Sequence, residues 1–80
     1  MDLAILGSAA EEFDAYERAV RLEYGWVPEE AWITGRSKVL RNFLGRPFVY
    51  GTTEFRKSHE AAARSNLTRS LAGLEGNPQS

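Results

Sequence analysis

The stretch SAAEEFDAYERAVRLEY, residues 8–24, decides the fold of this chain because its apolar side chains recur at helical spacing. The side chains that define this face lie three and four residues apart: Phe13, Tyr16 and Val20. This periodicity predicts a helix over residues 9–24. Ser8 and Glu11 have the form of a capping box, in which each side chain binds the backbone N–H of the other residue.

Two further stretches predict helices over residues 28–44 and 53–72. Pro28 suits the first position of a helix, because its φ is fixed and an N–H there would lack a partner. Thr52 or Thr53 can cap the third helix with a hydroxyl. The fold class is therefore all-α, a three-helix bundle-like fragment with an apolar N-terminal lead-in.

The third helix also contains an expected ion pair and an expected end. Glu60 and Arg64 are four residues apart, a spacing that favours an ion pair on one helical face. Gly73 is expected to cap the C-terminus of the helix. We predict a single helical domain over residues 1–74 and a flexible tail over residues 75–80.

Length and composition predict one small domain with a limited core. A chain of 80 residues buries only about 60% of the surface that its unfolded form exposes. The chain has no cysteine, which excludes disulfide bonds and thiolate metal sites. Apolar residues make up 42% of the chain and nine are aromatic (two Trp, three Tyr, four Phe), too many for a disordered tail.

The charge is unevenly distributed, although the formal net charge is only −1. Residues 1–30 carry eight acidic and two basic side chains, whereas residues 31–80 carry three acidic and eight basic ones. The favoured interpretation is that the two halves attract each other within the fold or across a dimer. Nucleic-acid binding is the less favoured alternative, because the match to a helix-turn-helix is weak.

No stretch approaches the ~20 apolar residues of a membrane span. The apolar run over residues 3–6 is shorter than the apolar region of a signal peptide and has no basic leader. We therefore expect no membrane association and a cytoplasmic location.

His59 is the single histidine, and it lies on the apolar face of the third helix. A catalytic zinc ion needs about three protein ligands, whereas this chain offers one imidazole and no thiolate. We therefore expect a packed histidine and no metal-dependent hydrolysis by this chain alone. Ser58 precedes it, but adjacent helical residues point about 100° apart, so we do not expect the two side chains to meet.

Three residues are the candidate ligand or phosphate contacts: Arg36, Tyr50 and Tyr24. Arg36 falls on the apolar face of the second helix, where an unpaired guanidinium would be costly. One interpretation is a structural ion pair with one of three carboxylates: Glu23, Glu30 or Glu60. The other is contact with a phosphorylated ligand.

Three aromatic residues in or near the links between the helices are expected to pack. The Tyr50 ring should cover the core while its hydroxyl reaches the surface. Trp26 and Trp32 flank Pro28 and should shield the corner between the first two helices.

Several spaced residues resemble the C-terminal portion of the predicted metal-dependent HD-domain phosphohydrolases. The most specific elements are Arg21-x-Glu23-Tyr24, Gly35-Arg36, Tyr50-x-Thr52 and Ala63-Arg64-x-Asn66-Leu67. The resemblance covers residues 2 to about 71. It implies an all-helical fold and a divalent metal held by His, His-Asp and a later Asp.

The resemblance also shows departures from the family pattern. The His and His-Asp motifs of the family precede the point where this chain begins. Asp2 is the residue that remains of an Asp-x-Asp-Leu segment near the last ligand, and thus a possible remnant of the metal site. Gly25-Trp26 stands where relatives often have a small residue followed by His.

These observations predict a non-catalytic helical remnant or C-terminal fragment of such a phosphohydrolase, with no cofactor bound by this chain alone. We expect it to form a homo-oligomer or to bind a missing N-terminal half-domain. The contacts would use faces of the first two helices and the lead-in residues Leu3, Ile5 and Leu6. Two alternatives stay open: a C-terminal subunit that completes a phosphohydrolase with a separate N-terminal half, and a small nucleic-acid-binding helical protein.

Overall fold

The computed structural model describes residues 3–76, and this part of the chain is all-α. A short 3₁₀ helix, Leu3–Gly7, precedes three α-helices: α1 (Ala10–Glu23), α2 (Glu29–Leu44) and α3 (Thr53–Leu74). The predicted three-helix fold with an apolar lead-in is confirmed, and the helix boundaries differ from the predicted ones by one or two residues. Asp2 and residues 77–80 of the predicted tail lie outside the described residues.

Helix α3 is the centre of the fold, because the 3₁₀ helix, α1 and α2 all pack against it. No Cα atom of α1 lies within 8 Å of one in α2, so the packing contacts between these two helices are made by side chains. The buried apolar residues come from every element: Leu6, Phe13, Leu40, Val49, Tyr50, Ala63 and Leu67. The prediction that Leu6 lies at an association surface is wrong, because its side chain belongs to this core.

The predicted helix caps are confirmed only in part. The Thr52 hydroxyl caps α3 and accepts a hydrogen bond from the N–H of Phe55 at 3.3 Å. The predicted capping box at Ser8 is wrong. Ala9 is the N-cap of α1, and the Ser8 hydroxyl instead donates to the carbonyl of Ile5 at 2.7 Å. The serine therefore closes the 3₁₀ helix rather than opening α1.

Two other predicted helix ends are shifted by one or two positions. Pro28 is the N-cap of α2 rather than its first residue. Gly73 lies inside the last turn of α3, whose C-cap is Glu75. At this end of α3, the Glu75 carboxylate forms an ion pair with Arg41 of α2.

The link between α2 and α3 is held by the Glu60–Arg64 pair, which the four-residue spacing predicts. The Glu60 carboxylate accepts hydrogen bonds from the N–H of Val49 at 2.8 Å, the N–H of Tyr50 at 3.3 Å and Nε of Arg64 at 2.8 Å. Arg64 also donates to three carbonyls of the link: Leu44 (3.1 Å), Arg46 (2.6 Å) and Pro47 (3.0 Å). The pair thus provides hydrogen-bond partners for backbone N–H and carbonyl groups of the link, which lie outside the regular hydrogen bonding of the helices.

These contacts change the acidity of Glu60. Burial of the carboxyl acts to raise its pKa. The N–H groups of Val49 and Tyr50 and the guanidinium of Arg64 outweigh burial and lower the pKa below the ordinary value of 4.5. The ionised carboxylate is therefore favoured by folding.

We predict that Glu60→Gln lowers the free energy of unfolding by about 1.5–3 kcal/mol at pH 7, because hydrogen bonds to a charged group are lost. The contribution of Glu60 should be complete above its unfolded pKa. It should disappear as the pH falls through the lower, folded pKa, because the unfolded state then binds more protons. Urea unfolding from pH 7 to pH 3 measures both effects. The exposed Glu23→Gln variant is the control, and an equal loss in both variants at every pH would contradict the prediction.

The 3₁₀ helix is fixed on α3 by a close backbone approach at Gly7 and by buried Asn66. A Cβ on Gly7 would lie 2.7 Å from both the Cβ and the carbonyl oxygen of His59, and 2.9 Å from the Tyr50 hydroxyl. The Asn66 Nδ2 donates at 2.9 Å to each of two carbonyls of the lead-in, those of Leu6 and Ser8. Position 7 therefore has no room for a side chain.

We predict that Gly7→Ala destabilises the fold by about 1–3 kcal/mol, the range typical of overpacking. Gly73→Ala is the matched control, because a Cβ there meets nothing within 4 Å and alanine favours a helix by up to about 1 kcal/mol. Thermal unfolding followed by circular dichroism measures both. A Gly7→Ala protein as stable as wild type would contradict the close approach.

Candidate functional site

Trp32 lies at the centre of the surface between α1 and α2. Its ring stacks on Tyr24 with the centroids 6.0 Å apart, and the guanidinium carbons of Arg21 and Arg36 lie 5.2 and 5.8 Å from its centroid. Both distances are in the range of cation–π interactions. The prediction that the tryptophans pack over this corner is correct for Trp32. It is wrong for Trp26, whose side chain is 78% exposed.

Arg36 forms an ion pair with Glu17 of α1 through two parallel hydrogen bonds. Nε donates to Oε1 at 3.1 Å, and Nη2 donates to Oε2. The Arg36 and Glu17 side chains are only 12% and 14% exposed, so protein rather than water surrounds most of both charged groups. The Ser70 hydroxyl of α3 donates to the same Glu17 carboxylate at 3.4 Å. The two hydrogen bonds between Arg36 and Glu17 link α2 to α1 at a place where the backbones of the two helices are not in contact.

The prediction of a structural ion pair for Arg36 is correct, but the three predicted partners are wrong. Helices α1 and α2 run antiparallel, since Tyr24 meets Trp32 near the turn while Glu17 meets Arg36 farther along. This arrangement places Glu17 opposite the arginine. Glu60 is committed to the α2–α3 link. A phosphate at Arg36 would have to compete with Glu17, and phosphate contact by Arg36 stays a prediction.

An open apolar groove runs beside this ion pair, between α1 and α2. Its volume is about 260 Å³. It is lined mainly by Val20, Tyr24, Val27, Ala31, Trp32, Gly35 and Val39, with Arg36 at its edge. Tyr24 is 45% and Val39 39% exposed, and the Trp26 ring lies 6.2 Å from that of Tyr24. The groove is thus an apolar surface bordered by exposed aromatic side chains.

A second depression of about 410 Å³ lies where α1 meets the C-terminal half of α3, and its lining contains more charged residues than that of the groove. Most of these charged residues have partners within the fold. Asp14 accepts from Arg69 at 2.7 Å, and Glu17 accepts from Arg36. The Arg21 guanidinium donates to two carbonyls at the end of α1, those of Tyr24 at 2.9 Å and Val27 at 3.2 Å. These arginines serve helix packing and capping, whereas Arg18, which also lines the depression, is exposed and forms no ion pair with any residue of the described range 3–76.

Tyr50 belongs to the core, and the prediction that its hydroxyl reaches the surface is wrong. The hydroxyl donates to the carbonyl of Leu3 at 2.8 Å, and the residue is only 5% exposed. The ring stacks on Phe55 with centroids 5.2 Å apart. The chain therefore uses Tyr50 to bind the lead-in, and the hydroxyl could donate its hydrogen to a ligand only if this bond opened.

His59 packs beside the same aromatic residues, as its place on the apolar face predicts. Its ring centroid lies 4.7 Å from that of Phe55 and 5.9 Å from that of Tyr50. The prediction that Ser58 and His59 do not meet is wrong, since Oγ and Nδ1 are 2.5 Å apart. The short serine side chain reaches both this ring and the carbonyl of Glu54, at 3.0 Å. The Ser58 hydroxyl has a single hydrogen, which it can donate either to the Glu54 carbonyl or to Nδ1, and the tautomer of His59 decides which.

The described residues do not form the metal site that the resemblance implies. Within residues 3–76 there is no group of three or more His, Cys, Asp or Glu side chains that could hold a metal ion. Asp2, the possible remnant ligand, lies outside this range. Residues 3–76 by themselves therefore do not fit a divalent metal.

The structure brings together two of the three candidate contact residues. Tyr24 and Arg36 both line the groove between α1 and α2, whereas Tyr50 lies at the lead-in. Sequence reasoning missed Glu17. The signal that could have found it is its position four residues after Phe13, which places a carboxylate on the apolar face of the first helix.

Comparison with known proteins finds no match to a family model, to a curated protein or to a solved structure. The resemblance to HD-domain phosphohydrolases therefore rests on the spaced residues alone. In the part of the chain that the structure describes, no helix is both long and apolar enough to cross a membrane.

We predict that Arg36→Met destabilises the fold by on the order of 3 kcal/mol, because Glu17 is left without its partner in a mostly buried site. The double variant Glu17→Leu/Arg36→Met should recover most of this loss. Asp14→Ala is the control, since its pair with Arg69 is about 42% exposed and should contribute about 1 kcal/mol or less. Denaturant unfolding measures all three variants. Equal, small losses for Arg36→Met and Asp14→Ala would rule out the structural role of the pair.

Proposed function

We propose that this chain is a non-catalytic helical module that acts through self-association and is related to the C-terminal portion of the HD-domain phosphohydrolases. The observation that carries the proposal is the open apolar groove between α1 and α2, with Tyr24 and Trp26 exposed at its border. Contiguous apolar surface of this kind usually serves an interaction. We also place the chain in the cytoplasm, an expectation from its sequence.

The size of the core supports association as well. Among residues 3–76, seven apolar residues are buried, whereas the exposed large apolar side chains include Leu22, Tyr24, Trp26, Phe48 and Phe55. A domain of this length has little stability to spare. Covering a second apolar surface would add stabilising contacts that the monomer lacks.

The candidate contact residues support a module without catalytic activity of its own. Arg36 is neutralised by Glu17, and the Tyr50 hydroxyl is bound to the lead-in. The chain supplies one imidazole and no thiol. Two of the three candidate contact residues, Arg36 and Tyr50, thus have structural tasks.

A second candidate is a subunit that completes an HD phosphohydrolase with a separate N-terminal half. A shallow apolar cavity of about 240 Å³ favours it, because it lies at the lead-in where such a half would connect. It is lined by Leu3, Ala4, Tyr50, Gly51, Thr52 and Phe55. In this case the divalent metal would be held mainly by the partner.

The proposal predicts self-association and no hydrolysis. Sedimentation equilibrium from micromolar to near-millimolar concentration should give an average mass above the monomer mass of 9.0 kDa. The purified chain with Mn²⁺ or Mg²⁺ should release no phosphate from nucleotides above background. A strict monomer throughout this range would contradict self-association. Metal-dependent turnover by the chain alone would contradict the non-catalytic assignment.

A further inference from the structure

Three basic side chains beside the α2–α3 link keep their full charge in the folded chain. Within residues 3–76, no carboxylate forms an ion pair with Arg46, Arg56 or Lys57. Arg46 and Lys57 are exposed, and Arg56 is half-buried. Glu54 lies two residues before Arg56 and therefore about 160° away around α3, while Glu60 is neutralised by its own ion-pair partner. The link side of the fold is therefore positively charged.

Two of these basic side chains lie on the rings of phenylalanines. The guanidinium carbon of Arg56 is 4.1 Å from the ring centroid of Phe48, and that of Arg46 is 4.7 Å from the ring centroid of Phe43. Both distances are within the range of cation–π interactions. Phe48 is 49% exposed even with this guanidinium on its ring. Planar apolar and cationic groups thus lie side by side at the surface of the link.

These side chains lie along one side of α3. The Arg46 carbonyl accepts from Arg64 at 2.6 Å, whereas the Phe48 ring lies on Arg56, eight residues earlier in α3. Eight residues of helix span about 12 Å. Lys57 is seven residues before Arg64 and therefore only about 20° from it around α3, so it projects on the side that faces the link. Arg46, Phe48, Arg56 and Lys57 form an elongated surface, which we call the link patch.

We propose that the link patch binds single-stranded nucleic acid, with phosphates at its cationic groups and a base stacked on Phe48 and Arg56. Proteins that bind single strands without sequence preference combine a positively charged surface that follows the backbone with aromatic side chains on which bases stack. The link patch has both features. It shares no residue with the groove between α1 and α2, so this inference goes beyond self-association and does not depend on it.

The exposed phenylalanine selects this partner among polyanions. An acidic peptide would need only the cationic groups, whereas an unstacked base offers a flat face to an aromatic ring or to a planar guanidinium. In a duplex the bases are already stacked on each other, and a side chain reaches between them only at the cost of unstacking. The partner is therefore a strand with unpaired bases.

Fluorescence anisotropy with short, labelled oligo(dT) and oligo(U) tests the charges. Arg46→Gln/Lys57→Gln should weaken binding by about 25-fold at about 0.1 M salt, because each lost phosphate contact costs about fivefold there. The slope of log affinity against log salt should become less steep by about 1.4. The control is Arg18→Gln, which should leave both quantities unchanged. Arg18 is likewise exposed and without an ion pair in the described part of the chain, but it lies at the other half of α3.

Phe48 variants and an abasic oligomer test the stacking. Phe48→Ser should weaken oligo(dT) binding by about tenfold, the order expected for one lost base–aromatic stack. It should not change the weaker binding of an abasic oligomer of equal length, which keeps the phosphates. Phe48→Trp keeps an aromatic ring and should retain binding. Leu22→Ser is the control for loss of an exposed apolar side chain, since Leu22 is 81% exposed on α1. Circular dichroism of each variant checks that it is folded.

Three results would overturn the inference. Wild type could bind the abasic oligomer or poly-glutamate as tightly as oligo(dT), in which case the surface recognises negative charge alone. Neither oligomer could bind at near-millimolar protein. The Arg18→Gln control could lose as much affinity as the double variant. If the inference holds, the tighter of oligo(dT) and oligo(U) identifies the strand as DNA or RNA. A strict monomer would contradict the proposed self-association and leave these binding results unaffected.

Discussion

The ion pair between Glu60 and Arg64 on α3 is the contact on which the rest of the structure depends. It binds the backbone on both sides of the α2–α3 link, from Leu44 to Tyr50. With the link in place, Val49 and Tyr50 enter the core, and the Tyr50 hydroxyl binds the lead-in. One pair of side chains thus determines how α2 and the 3₁₀ helix are placed on α3. Asn66, farther along the same helix, also holds the lead-in on α3, because its Nδ2 donates to two carbonyls of the lead-in.

This construction explains why α1 and α2 stay apart. Both helices pack on α3, and their contacts with each other are made by side chains, among them the Glu17–Arg36 pair and the stack of Tyr24 on Trp32. The Glu17–Arg36 pair fixes how far apart α1 and α2 lie and how they are oriented, but it does not fill the space beside it. The groove follows from this arrangement. An apolar surface left open by the packing of a small domain is the feature from which we infer association rather than catalysis.

The sequence predicted the parts of the fold that depend on local spacing. Helical periodicity located all three helices, the four-residue spacing found the Glu60–Arg64 pair, and Thr52 is one of the two predicted caps. Contacts between distant segments could not be predicted in this way. The partner of Arg36 depends on which face of α1 meets α2, and the direction of the Tyr50 hydroxyl depends on where the lead-in lies. The choice of Ser8 between α1 and the 3₁₀ helix likewise depends on the packing of the lead-in on α3. The family resemblance has no structural or sequence match to support it and stays a proposal.

The central claim is that a second copy completes a fold whose own core is small. The most direct test is the dependence of the unfolding temperature on protein concentration, because association that favours the folded state makes the midpoint rise with concentration. Circular dichroism melting curves over a hundredfold range of concentration give this dependence. The account predicts a steady rise for wild type and a smaller rise for Val39→Arg, which places a charge in the groove. A midpoint that is the same at every concentration would contradict the claim.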